Sequence, residues 1–179
     1  STNYEASTQT IAFTVRKAVP RLGVFAIEPR SFGTAAFTTP LPSSTSPGTF
    51  TFTSSDPTVA TVTTSGTITL VGTGSTTITA DQATTANYEA ASAAATLTVS
   101  KGVPTLTVTN PPDKPYGSAD FTVPKPITNS SGVITYTSLT PAIATVNSTT
   151  GLVRLVGTGN VSLEVNLAAT NNYVSATKT

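Results

Sequence analysis

Few side chains in this sequence have chemistry to offer. The carboxylates are Glu5, Glu28, Asp56, Asp81, Glu89, Asp113, Asp120 and Glu164, and the chain has neither histidine nor cysteine. The commonest general base and the thiolate nucleophile are therefore both missing. None of the carboxylates falls into the dense Asp-x-Asp spacing of a calcium loop. Asp56 and Asp81 are the one pair that could meet at a domain pole, but Thr140 and Val165/Asn166 stand at the matching positions further along. Asp56 before Pro57 reads instead as the cap of a turn. Gly72-Thr73-Gly74 has the glycines of a phosphate loop without its lysine or its helix, so it reads as a hairpin. Lys17 and Lys101 lie in candidate joints, away from any core strand where an isopeptide bond to an asparagine would form. The glycosylation sequons at Asn129, Asn147 and Asn160 are what chance gives in a chain this rich in Ser and Thr. No catalytic, cofactor-binding or metal-ligating residue is assigned, no cofactor is expected, and the expectation is that the chain is not an enzyme. Ligand-binding residues stay unassigned.

What the residues do show is repetition. Phe52–Val62 (FTSSDPTVATV) returns as Tyr136–Val146 (YTSLTPAIATV), 84 residues later. The same offset pairs Phe32-Gly33 with Tyr116-Gly117, Pro40 with Pro124, Gly48 with Gly132, and Lys17–Pro20 (KAVP) with Lys101–Pro104 (KGVP). After one inserted residue near Gly151, Leu70–Gly74 (LVGTG) returns as Leu155–Gly159, and Asn87-Tyr88 as Asn172-Tyr173. So long a period marks an array of whole small domains, not a solenoid of short units.

Each unit reads as strands. Thr49–Thr53 alternates so that Phe50 and Phe52 share a face, and Val133–Thr137 does the same with Ile134 and Tyr136. Ile68, Leu70, Ile78, Leu97 and Val99 continue the inward set in the first unit, as Val153, Leu155, Val161, Leu163 and Val165 do in the second. Period-two alternation means one face buried and one solvated. Glycines at Ser65-Gly66 and Thr150-Gly151 mark turns that need positive φ. Paired prolines (Pro40 and Pro42, Pro124 and Pro126) exclude interior strands. The expected fold is all-β: tandem immunoglobulin-like antiparallel β-sandwiches with Greek-key connections, about seven strands each. Phe25 has no aromatic match and receives no role. Tyr4, Tyr88 and Tyr173 follow Asn in the same register, which suits plugging a sandwich end or a joint better than gripping a ligand.

The register divides the chain. Residues 16–99 form one complete repeat and 100–179 a second that lacks its last strand, because Thr179 matches Thr10. Residues 1–15 read as the terminal strand of a preceding repeat. Two accounts of the ends follow: a window from a longer array, or donation of the strand carrying Ile11, Phe13 and Val15 to a neighbouring copy. The joints at 15–20 and 99–104 are short and carry Pro20 and Pro104, so they should couple domains semi-rigidly.

SSDPTVATV followed by GTITLVGTGSTTITA resembles the bacterial immunoglobulin-like (BIG2-type) repeat. That family builds the stalks of intimin- and invasin-like adhesins and decorates phage and other virus particles. The second repeat departs at Leu139-Thr140 and Leu163–Val165 but keeps its inward positions apolar. The resemblance implies a non-enzymatic spacer in an extracellular fibre, on a bacterial surface or a virus particle. The alternatives are a carbohydrate- or receptor-binding module and a subunit of a strand-exchanged filament. Expected partners are neighbouring immunoglobulin-like repeats of the same or an identical chain, and a cell-surface glycan or receptor. With charged residues at 9 % and net charge +1, no basic face exists for nucleic acid. No apolar run is long enough for direct membrane insertion.

Overall fold

The computed structural model describes residues 3–179; Ser1 and Thr2, the start of the segment read as a preceding repeat's strand, lie outside the described residues. Among the described residues there is no helix and there are fifteen strands. Seven belong to a first sandwich: β1 (Arg30–Ser31), β2 (Phe37–Thr38), β3 (Phe50–Ser54), β4 (Ala60–Val62), β5 (Thr67–Leu70), β6 (Gly74–Gln82) and β7 (Ala91–Ser100). They form a sheet in the order β1-β7-β6-β3 facing a sheet in the order β2-β5-β4. The second sandwich uses β9 (Phe121–Thr122), β11 (Ile134–Ser138), β12 (Ala144–Val146), β13 (Leu152–Leu155), β14 (Leu163–Leu167) and β15 (Ala176–Lys178), in sheets β11-β14-β15 and β12-β13-β9. β8 (Leu106–Thr107) and β10 (Ile127–Thr128) pair beside it.

Alternation explains the strands. Phe52 is 4 % exposed and Tyr136 8 %, each in its own core, while the threonines beside them face water. Thr suits that outer face because its branched Cβ fits a pleated surface and its hydroxyl needs no burial. Ile68, Ile78 and Leu97 are fully buried in the first core, and Val153 and Leu167 nearly so in the second sandwich. Gly66 (φ +90°) and Gly151 (φ +68°) turn the chain over these aromatics, and a Cβ on either would lie 3.1 Å from the ring of Phe52 or Tyr136. Both the left-handed backbone and the close ring require glycine there.

Four expectations need correction. Leu70 is only half-buried, because it ends β5 at the pole where the chain leaves the sheet for Gly72-Thr73-Gly74. Val161 is 41 % exposed and Leu163 half-buried, because the edge of β14 beside them is unpaired upstream of Val165. The sandwiches are not wholly antiparallel: β1 runs parallel to β7, Arg30 opposite Val99. Both strands run from the pole where the chain enters to the pole where it leaves, so side by side they must be parallel. Phe25, left without a role, is core: it is buried, with its ring centroid 6.2 Å from that of Phe52.

One buried polar group has its account. Gln82 is 2 % exposed, accepts from Ser44 Oγ (2.7 Å), and donates to the Ser46 and Gly48 carbonyls (2.9 and 2.8 Å). With its amide satisfied, burial carries no orphan penalty. Leu167 fills the matching place in the second sandwich, so the same position is solved once with polarity and once without.

Candidate functional site at the joint

The motif that resembled chemistry is turn architecture. Thr76 Oγ1 meets Ser54 Oγ (2.9 Å) and Ser55 Oγ (3.2 Å), and accepts from Asp56 N (2.9 Å), which pins the Ser-Ser-Asp turn to β6. Asp56 Oδ1 accepts from the Thr58 hydroxyl (2.6 Å) and Thr58 N (2.9 Å). Those bonds, the Thr58 hydroxyl first and its backbone N–H second, hold the Asp56 carboxyl below its usual range. Thr140 at the matching position receives Ser162 N instead. Among the described residues no group of three or more His, Cys, Asp or Glu is placed to hold a metal ion. No helix there is long and apolar enough to cross a membrane.

These groups give a pH prediction. A depressed carboxyl stabilises the fold above its unfolded value of 3.8 and loses that contribution as pH falls through the lower folded value. Tyr136 is pushed above its ordinary 10.0 by burial, so its contribution is complete below pH 10 and is lost as pH rises through the folded value. Acid should therefore weaken the first sandwich through Asp56, and alkali the second through Tyr136. Melting curves of Asp56→Asn and Tyr136→Phe against pH check this. Asp56→Asn should remove part of the acid sensitivity and Tyr136→Phe part of the alkaline sensitivity. Unchanged profiles would refute the assignment.

The residues that converge from distant parts of the chain lie at the joint. Entering the second sandwich, the backbone at Gly102 bridges Tyr173 in parallel: Gly102 N donates to the Asn172 carbonyl (2.9 Å) and Val174 N to the Gly102 carbonyl (3.0 Å). Lys101 Nζ donates to the Thr170 carbonyl (2.7 Å). The same design stands at the entrance to the first sandwich, where Ala18 bridges Tyr88 and Lys17 Nζ donates to Thr84 Oγ1 (3.0 Å). The repeated Asn-Tyr loop is thus the seat on which each entering linker is fixed.

Across the joint, that loop also grips the sandwich before it. Tyr173 meets Phe32 edge to face, ring centroids 5.3 Å apart at 86°. Thr73 N donates to Asn172 Oδ1 (3.1 Å) and Thr73 Oγ1 to the Asn171 carbonyl (2.9 Å). Such an aromatic pair contributes about 0.5–1.5 kcal/mol, and each hydrogen bond about the same. Gly102 makes the approach possible: a Cβ there would lie 2.2 Å from the Phe32 carbonyl oxygen. Beside this contact is an open cleft lined by Asn129, Ser131 and Thr170–Tyr173.

Of the residues singled out from the sequence, Tyr173 and Lys101 come together here, and Tyr88 and Lys17 occupy the equivalent seat. Ile11, Phe13 and Val15 do not join any site; they are 88 %, 85 % and 83 % exposed and outside every strand. Sequence reasoning missed Phe32, Thr73 and Asn172 as joint residues. Their signal was available: an aromatic-Gly pair and a Gly-Thr-Gly turn recur in both repeats, in the same order ahead of the Asn-Tyr loop.

Residues 39–84 match the family model of the intimin immunoglobulin-like domain. Of the resemblance drawn from SSDPTVATV and GTITLVGTGSTTITA, the match bears out a bacterial adhesin-type immunoglobulin-like domain over this segment. No curated protein matches the chain by sequence. Among solved structures, mouse cadherin-23 repeats EC22–24 are 13 % identical with a TM-score of 0.36, over 90 % of this chain and 65 % of that one. Human protocadherin-24 EC1–2 is 12 % identical, TM-score 0.36, over 91 % and 94 %. A SusE-like surface-located polysaccharide-binding protein of Bacteroides thetaiotaomicron is 10 % identical, TM-score 0.33, over 89 % and 33 %. At these TM-scores the similarities carry no inference about function.

Proposed function

We propose that this chain, whose residues 39–84 match an intimin-type immunoglobulin-like domain, is a semi-rigid spacer in an extracellular fibre or adhesin stalk. One observation carries the reading. The two sandwiches are joined by a linker of a few residues and also clamped by Phe32 on Tyr173 and by Thr73 on Asn171 and Asn172. A flexible tether needs none of those contacts. A spacer is served by them, because together they hold one face of the first sandwich against the entrance of the second. The units are repeats 16–99 and 100–179, with residues 1–15 belonging to a repeat before them. The natural partners are neighbouring immunoglobulin-like repeats, of this chain or an identical one. The setting is the surface of a bacterium or of a virus particle.

The test is orientational. Residual dipolar couplings from the two sandwiches should fit one alignment tensor, as for a single body. Two tensors of clearly different magnitude would mean that the sandwiches reorient independently, and the spacer reading would fail.

A further inference from the structure

At three exposed positions the second repeat carries hydrogen-bonding capacity beyond what its fold uses. The first is Asn129, whose Oδ1 accepts from Thr105 N (2.9 Å). In the first sandwich the matching Arg21 N donates to the Thr45 hydroxyl (3.0 Å). A threonine suffices for that bond, and asparagine brings an amino group besides. The partner of a backbone N–H must be an acceptor, so Oδ1 is engaged and Nδ2 is left to donate. The second is Asn171. Its loop closes on itself, Thr170 N donating to the Tyr173 carbonyl (3.0 Å) and Tyr173 N to Thr170 Oγ1 (3.1 Å). The loop Thr85–Tyr88 closes in the same way (3.0 and 3.2 Å) with Ala86 in the place of Asn171, so the asparagine side chain is not what shapes it. The third is Ser131, which stands where the first repeat has Pro47. The turn there is made by its neighbour in both repeats, Gly132 N donating to Ser130 Oγ and Gly48 N to Ser46 Oγ, each at 3.2 Å.

All three line one cleft, the open one beside the joint, together with Thr170, Asn172, Tyr173 and Phe32 of the first sandwich. Its volume of about 530 Å³ falls in the range of small-molecule sites, about 300–1,000 Å³. Asn172 Oδ1 accepts from Thr73 N (3.1 Å), which leaves a second amino group to donate. Two amides are thus held in place by backbone N–H groups with their own donors unspent, and that preorganisation lowers the cost of binding. The Asn171 amide and the hydroxyls of Ser131 and Tyr173 add donors and acceptors alike. No carboxylate, ammonium or guanidinium lines the cleft. Lys101 is close by, but its Nζ is taken up by the Thr170 carbonyl (2.7 Å).

We propose that this cleft is a binding site for a neutral saccharide. Uncharged amides and hydroxyls, dense and mixed in donors and acceptors, match the rim of a sugar ring, whose hydroxyls both donate and accept. The aromatic side chains Phe32 and Tyr173 give the C–H face of such a ring an apolar surface to lie on. An acidic ligand would meet no unspent cation here. A peptide would want a sheet edge to extend or a deep apolar pocket for an anchor, and the second-sandwich wall is made of loops: Asn129 and Ser131 follow β10, and Thr170–Tyr173 lie between β14 and β15. The first sandwich lacks the site, because Thr45, Pro47 and Ala86 replace the three surplus side chains. The proposal goes beyond the spacer reading and does not rest on it. Every polar side chain of the cleft belongs to the second sandwich, so the site persists whether the joint is stiff or loose.

NMR titration of the 179-residue chain tests it, with lactose, maltotriose and N,N′-diacetylchitobiose as neutral probes and trigalacturonic acid as the acidic one. At least one neutral probe should move the side-chain amide signals of Asn129, Asn171 and Asn172 and the backbone signals of Thr170–Tyr173, saturably. The matched seat at Thr84–Tyr88 should stay still. The decisive variant carries Asn129→Thr and Asn171→Ala together, the residues that the first repeat already has at these places. Thr45 shows that threonine keeps the backbone bond, and Thr73 Oγ1 bonds the Asn171 backbone carbonyl, which survives the change. The variant should therefore keep its melting temperature and its joint contacts while its affinity falls about tenfold or more, the effect of losing at least two hydrogen bonds. No response to any of the neutral probes, tighter binding of trigalacturonic acid than of all of them, or undiminished affinity in the double variant overturns the proposal. Dipolar couplings of the unliganded chain read the joint and the titration reads the cleft, so the spacer reading and this one fail separately.

Discussion

Phe52→Ala should destabilise the first sandwich by about 3–5 kcal/mol, the cost of emptying a buried aromatic site that cannot collapse. The site is closed on every side that matters. Phe52 is 4 % exposed on β3, Phe25 packs against it at 6.2 Å, and the Gly66 turn covers its edge. Ala80, directly across on β6, is too small to fill the void. For a sandwich of this size each kcal/mol moves the melting temperature by about 4–8 °C, so the melting transition of the first sandwich should fall by well over ten degrees. The transition of the second, with its own core around Tyr136 and Val153, should hardly move. Phe52→Tyr should be far milder, because Tyr136 already shows that the register tolerates a hydroxyl. Calorimetry of the three proteins checks this. A loss below about 1 kcal/mol for the alanine variant would mean that Phe52 is not the centre of that core.

Gly102→Val should open the joint while leaving both sandwiches folded. A Cβ at Gly102 would meet the Phe32 carbonyl oxygen at 2.2 Å and its carbon at 3.1 Å. Backbone on both sides leaves no flexible side chain to give way, so the sandwiches must separate. Separation removes the Tyr173 ring from Phe32 and the Asn171 and Asn172 contacts from Thr73 together, since all lie on one small face. The expected result is loss of a common orientation with melting temperatures changed by only a few degrees. NMR shifts should move at Phe32, Thr73 and Asn172 and stay put in the two cores. Retention of the wild-type orientation would show that the close approach at Gly102 is not what sets the joint.

The strands were legible because alternation is a local property: Phe50–Ser54, Thr67–Leu70 and their matches announce themselves within five residues. So were the turns at Gly66 and Gly151, where positive φ and a covering ring both demand glycine. Phe25 was not legible. It sits in an irregular run, 18–29, where no period indicates which side faces the core. Gln82 was hidden for a different reason: its burial depends on Ser44, Ser46 and Gly48, more than thirty residues away. Leu70 and Val161 followed the alternation yet ended half-open, because a strand's inward face is buried only where a neighbour covers it. The joint was half-legible. The linker sequences and the repeated Asn-Tyr pair located it, but the partners of that pair, Phe32 and Thr73, are reached only once both sandwiches exist.

If the joint holds the two sandwiches in one arrangement, the distance between fixed points on them must be single-valued. Spin labels at Thr61→Cys and Thr145→Cys, matched exposed positions on β4 and β12, measure this directly by double electron–electron resonance. A single narrow distance peak is expected for the otherwise wild-type chain, broadening when Gly102→Val is added. A broad distribution in the wild-type background, no narrower than that of the Gly102→Val protein, would contradict it.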